Sequence, residues 1–267
     1  MVRFPDFVAR LKSRAGDATV TTIAELDEPG GPYPLIKLTQ AGGPHLLLTS
    51  GFHGEEPAGP LTIVEHLPEI LAYARTRNVA LTIYPCINPS GFEDGTRYNR
   101  SGEKPNNDFL RYELPGGVIK GELAPHEPFH RWTLAEGGPK ETQALRADVV
   151  RLPDFVAALD VHQDRWVQSA HVYAYVQPDR TDYLPLMRAS AAILPPMPHA
   201  RLDELYSTDE HGLTWGPDGS ITDYAVRRGA KWAATLETTT ISPITACHRV
   251  NLTWILGFID LAARGGL

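Results

Sequence analysis

The chain has 267 residues, 42% of them hydrophobic, and a formal net charge of -7. That length supports one large α/β core, so residues 1–267 are expected to form a single domain. The acidic balance argues against nucleic acid or an anionic membrane as partner and leaves peptides or small molecules. Two cysteines exclude a disulfide scaffold or a cysteine zinc cluster, so Cys86 and Cys247 are expected as buried free thiols.

The opening stretch MVRFPDFVARLKSRAGD has no continuous apolar run, so no secretory signal is read there. No segment approaches the ~20 apolar residues of a membrane span, and a cytoplasmic protein is expected. The first apolar, β-rich run is HLLLTS (45–50), followed by a helical stretch at 57–75 and a second run, ALTIYPCIN (80–88). Residues 88–140 are dense in Gly, Pro, Asn and charge and predict a long irregular but ordered excursion of functional character. A helix is expected at 140–151, strands at FVAALDVH (155–162) and HVYAYV (171–176), and helices at 182–193 and 220–228, the latter capped by Ser220 or Asp218. KWAATLET (231–238) and a helix at 243–264 complete the chain. Continuous rather than alternating apolar runs fit strands covered on both faces. The fold class is therefore α/β, a mixed, mostly parallel twisted sheet flanked by helices on both faces.

In GFHGEEPAG (51–59), His53 and Glu56 form an H-x-x-E pair where a strand gives way to a turn and helix. Chance alone supplies roughly 0.6 such pairs at this composition, so spacing is not the argument. His66 and Glu69 share the spacing but sit inside the following helix, where an exposed face is expected. Position is what distinguishes His53: ligands of open α/β sheets collect beyond the carboxyl ends of strands, and His53 stands just past one. His162 ends FVAALDVH in the same way, and two His with one Glu make a three-ligand zinc site with an open position. Such an ion acidifies water and polarises a carbonyl. Glu237, emerging from WAATLET, is either a boundary charge or a general base whose pKa is raised by dry surroundings. Asp160, two residues before His162, is placed to accept the other N–H of that imidazole.

GFHGEE, NPSGFEDGTRYNRSGEKPNNDF, LDVH and GSITDYAVRRGAKWAATLET, in that order, resemble the zinc metallocarboxypeptidase family of the M14 type over roughly residues 45–240. The resemblance implies one zinc ion per chain held by His53, Glu56 and His162, with Glu237 activating water and then protonating the leaving amine. It also implies Arg97 as the group that stabilises the oxyanion, and a peptide substrate. Asn106 matches the family's asparagine, but Asn107 stands where the arginine that grips a terminal carboxylate is expected, so a bidentate charged clamp is lost. Lys104, Arg100 and Arg111 are the candidate replacements. Trp215 is the aromatic nearest the GS turn, in place of the family's tyrosine, and Ile221 is placed either in a specificity pocket or in the core. Glu55, Asp160 and Asp164 leave a second ion open. Two further readings stand beside the peptidase: an N-acyl amino acid deacylase like the aspartoacylase and succinylglutamate desuccinylase branch, which shares the G-x-H-G-x-E start, and a catalytically silent member that binds zinc or peptide.

Overall fold

The computed structural model describes residues 2–106, 108–178 and 180–265. Its elements in chain order are α1 (Phe4–Arg14), β1 (Thr19–Glu28), β2 (Gly31–Gln40), β3 (His45–Ser50), α2 (Ala58–Thr76), β4 (Ala80–Tyr84) and α3 (Pro89–Asp94). Then follow β5 (Leu110–Glu113), β6 (Ile119–Lys120), β7 (Arg131–Leu134), α4 (Lys140–Val149), β8 (Ala157–Asp164) and β9 (Val172–Gln177). The chain closes with α5 (Leu184–Ala191), β10 (Leu213–Thr214), α6 (Ile221–Arg227), β11 (Trp232–Thr239) and α7 (Ile244–Gly265).

Eight strands form one sheet in the order β1-β2-β4-β3-β8-β11-β9-β10. The middle run β4-β3-β8-β11 is parallel, while β1, β2 and β9 add antiparallel pairings. The apolar runs read from the sequence are these central strands: every residue of β3 is buried, as a strand covered on both faces requires. A Cβ on Gly59 of α2 would lie 3.2 Å from Val161 Cγ1, so Val161 faces α2, whereas Thr235, the register partner of Asp160, bonds Thr222 of α6. Alternate residues of β8 thus face α2 on one side and the α6 side on the other, so helices cover both faces. One continuous hydrophobic core runs through the molecule. No helix among the described residues is long and apolar enough to cross a membrane.

Ser220 is the cap of α6, its Oγ accepting from Asp223 N, while Asp218 accepts from Ser220 N instead. Cys86 and Cys247 are buried and free, as expected. The excursion over 88–140 is not the irregular loop predicted: it contains α3 and a three-stranded sheet ordered β6-β5-β7. Asn88 caps α3 through Gly91 N, and strands this short leave no periodic signal in the sequence.

Asn99 ties this excursion to α4, donating from Nδ2 to both carboxylate oxygens of Glu141 at 2.9 and 3.0 Å. Burial nevertheless pushes Glu141 up to about 7, with Glu28 and Glu103 adding to the effect. Between the ordinary 4.5 and about 7 the folded protein holds a proton that the unfolded chain has lost, so stability falls as pH rises through that window and levels off above it. Glu141→Gln is expected to flatten this slope and to be about 1–3 kcal/mol more stable than the parent near pH 8. Denaturant titrations at low and high pH check it; equal slopes would refute it.

Candidate metal centre and active-site cavity

The turn that carries His53 and Glu56 is possible because of two glycines. Gly51 adopts φ +70°, which favours glycine. A Cβ on Gly54 would lie 1.9 Å from the Gly91 carbonyl carbon, so only glycine lets this turn press against α3. The turn closes through Glu56 N to His53 O at 3.2 Å, and Gln163 Oε1 accepts from Ala58 N at the start of α2.

Sheet register brings the remaining groups to the same place. Glu237 is paired with His162 across β11 and β8, and with Tyr173 across β11 and β9. Thr49, Asp160, Thr235 and Tyr175 form the neighbouring row. Both rows lie on the sheet face shared by α6, towards the carboxyl ends of β3, β8 and β11.

His53, Glu56 and His162 are all buried, and one ligand atom from each lies within 4.8 Å of the others. His53 Nδ1 is 2.6 Å from Glu56 Oε1, and His162 Nδ1 is 2.9 Å from Glu56 Oε2. His162 Nε2 contacts Asp160 Oδ2 at 2.8 Å, and Thr49 Oγ1 donates to Asp160 Oδ1 at 2.8 Å. Asp160 Oδ2 accepts from His162 Nε2 and so holds a proton on that nitrogen, while the other nitrogen, Nδ1, faces Glu56 Oε2. In the protonated imidazole Nδ1 donates to that oxygen, and a cation held by both groups would take the place of the proton. Burial opposes charge on His162, but Asp160 and Glu56 outweigh it and hold its pKa well above the ordinary value. Burial likewise favours the neutral form of Glu56, and the two imidazoles override it and push its pKa down. Desolvation draws His53 downward. A group of two imidazoles and one carboxylate, with a carboxylate behind one imidazole, has the donor chemistry of a divalent metal site. Asp160→Asn is expected to weaken metal affinity by about 10- to 100-fold, read by competition with a chelator; unchanged affinity would deny Asp160 this role.

Glu237 faces a cavity of about 320 Å³ that is also lined by His53, Glu56, Arg97 and His162. Its Oε2 is buried without a hydrogen-bond partner among the described residues. Desolvation drives its pKa well above the ordinary carboxylate value, with Glu56, Asp164 and Asp160 adding to the rise and His162 opposing it. Arg97 Nη1 bonds Glu55 at 3.2 Å and Glu56 at 3.1 Å.

Of the substrate-binding candidates, Asn106 lines the cavity, and Asn107 lies outside the described residues. Trp215 is not among the wall residues and lies tilted against His126, with ring centroids 4.7 Å and planes 39° apart, and Ile221 is 1% exposed in the core. None of the candidate arginine replacements lines the cavity. Arg100 is paired with Asp94, Arg111 bonds the Leu110 carbonyl, and Lys104 is exposed. His66 and Glu69 pair on an exposed helix face, as expected. Each acid considered for a second ion is engaged elsewhere: Glu55 by Arg97 and Arg165, Asp160 by Thr49 and His162, Asp164 by Tyr173 and two loop amides.

Sequence reasoning missed Arg165, Trp166, Tyr173, Tyr175, Tyr206 and Asp218 as cavity walls. The two tyrosines of β9 were visible as a Tyr-Ala-Tyr alternation, which puts both on one face. The others sit on connections whose course only the fold reveals.

No family model and no curated protein matches the chain. Solved structures do. A protein of Shewanella denitrificans OS217, provisionally named a metallopeptidase, is 25% identical with a TM-score of 0.72, the match covering 97% of this chain and 89% of that one. A similarly named protein of Shewanella baltica OS155 is 24% identical with a TM-score of 0.74, covering 97% and 91%. A metallo-carboxypeptidase from Burkholderia cenocepacia is 13% identical with a TM-score of 0.62, covering 97% and 68%. The chain therefore has the fold of the zinc carboxypeptidases, with a buried His53–Glu56–His162 group at the carboxyl ends of its central strands.

Proposed function

We propose that this chain is a zinc-dependent hydrolase of the metallocarboxypeptidase type that cleaves the amide bond of a peptide. The observation that carries the reading is the register pairing of Glu237 with His162 inside one cavity, which sets an unpartnered buried carboxylate beside a group of metal-binding composition. His53, Glu56 and His162 would hold the ion. When bound, zinc supplies Lewis acidity that brings the pKa of water towards ~7 and polarises a carbonyl.

The chain's own residues supply the rest. Amide hydrolysis needs a proton acceptor for the attacking water and a donor for the departing amine. Glu237 performs both in turn, its dry setting matching its proton affinity to the task. Arg97, beside Glu56, faces the cavity and stabilises the negative charge that develops on the carbonyl oxygen. Asp160 orients the imidazole of His162.

The test is metal content followed by substrate comparison. Near one zinc per chain, with hydrolysis of blocked dipeptides in preference to N-acyl amino acids, is the expected result. Preference for N-acyl amino acids would move the assignment to the deacylase branch. Stoichiometric zinc and tight peptide binding with no turnover would leave a binding protein.

A further inference from the structure

Two arginines line the cavity beside the turn that carries His53 and Glu56. Arg97 and Arg165 are the arginines or lysines among its described wall residues, and both are held by Glu55: Arg97 Nη1 at 3.2 Å from Oε1, Arg165 Nη1 at 2.6 Å from Oε2. Arg97 is also held by Glu56, at 3.1 Å, whereas Arg165 has Glu55 as its one ion-pair partner among the described residues. Arg165 is also braced from behind, its guanidinium stacked at 4.9 Å over Trp166. The loop bearing both residues is pinned by Asp164, which accepts from Trp166 N and Val167 N and is itself held by the Tyr173 hydroxyl at 2.7 Å. Arg165 therefore stands preorganised at the mouth, with 45% of its side chain exposed and able to take a further anion.

A second part of the wall carries no cation. Tyr175 and Tyr206, with ring centroids 5.8 Å apart, stand there with Asp203 and Asp218, and neither acid has an ion pair among the described residues. Acids without a cation suit the amine half of an amide substrate, which leaves the acyl half to the side of Glu55 and Arg165.

We propose that Arg165, oriented by Glu55 and Trp166, is a specificity-determining residue that recognises a negatively charged group on the acyl side of the substrate. The assignment rests on the reading of this cavity as the place where an amide substrate binds.

The experiment compares two dipeptides that differ only in an N-terminal succinyl or acetyl cap. Equilibrium binding and turnover are measured on the zinc-loaded wild type, Arg165→Gln and Arg165→Lys. The wild type is expected to bind the succinyl compound about tenfold more tightly, as a charge-assisted contact at a half-exposed site allows. Arg165→Gln should lose that preference with acetyl-dipeptide affinity unchanged, and Arg165→Lys should restore part of it. Equal preference in wild type and Arg165→Gln overturns the assignment, as does equal weakening towards both compounds, which would mark Arg165 as structural. Preference with no turnover would retract the hydrolase reading and leave the Arg165 assignment standing.

Discussion

Glu237→Gln is expected to keep the fold and the metal while slowing hydrolysis by about 10²- to 10⁴-fold, the range a positioned acid–base group supplies. Glutamine has the shape of glutamate but neither takes a proton from water nor passes one to an amine. Its neighbours favour the exchange structurally, because Glu237 Oε2 lies buried without a partner among the described residues. Desolvation also raises its pKa well above the ordinary carboxylate value, so in the metal-free protein the ionised form is penalised by folding. In sign, the folded state retains a proton that the unfolded chain releases, and stability drops as pH climbs above the ordinary value. Removing the charge is therefore expected to leave the metal-free protein at least as stable at neutral pH. The decisive comparison is the rate of the zinc-loaded variant against zinc stoichiometry on the same sample. Full rate with full zinc would remove Glu237 from the reaction, and lost zinc would mean that it holds the metal.

How far the sequence could be read depends on what kind of signal each part carries. The central strands announced themselves because burial on both faces demands unbroken apolar runs, and β3 is buried at every position. The strand-end residues His53, His162 and Glu237 were legible for the same reason, since a polar side chain ending such a run stands out. The β1–β2 hairpin escaped because a register shift between Thr22 and Ala24 breaks the alternation that marks a half-exposed strand. The first helix was legible in principle: Phe4, Phe7, Val8 and Leu11 recur at helical spacing and are its buried face. The place of Trp215, and the choice between pocket and core for Ile221, could not be read from the sequence because nearness to the GS turn does not fix which way a residue faces. Arg165 and Asp218 could not be found from pattern at all, because each enters the cavity through the path of a connection rather than through periodicity.

Removing the three proposed metal ligands one at a time is expected to abolish stoichiometric zinc binding in all three cases, but with unequal cost to the fold. His53→Ala and His162→Ala each delete one donor. Glu56→Ala does more, because this carboxylate is the common partner of His53, His162, the Gln163 amide and Arg97. Its loss strands buried polar groups, a cost of about 3–5 kcal/mol for a broken buried charge network. Glu56→Ala should therefore melt well below the two histidine variants in the absence of metal, whereas Glu56→Gln, which keeps the shape and one acceptor, should fall between. Zinc itself supplies the second reading. A ligand that binds only the folded state adds about 2.7 kcal/mol at a hundredfold excess over its dissociation constant, so added zinc should raise the wild-type melting temperature. The same addition should leave each variant unmoved. Zinc retained at full stoichiometry in His162→Ala or Glu56→Ala would show that the ion sits elsewhere. A melting temperature that rises equally in wild type and variants would show that the His53–Glu56–His162 group is a buried hydrogen-bond network with no metal of its own.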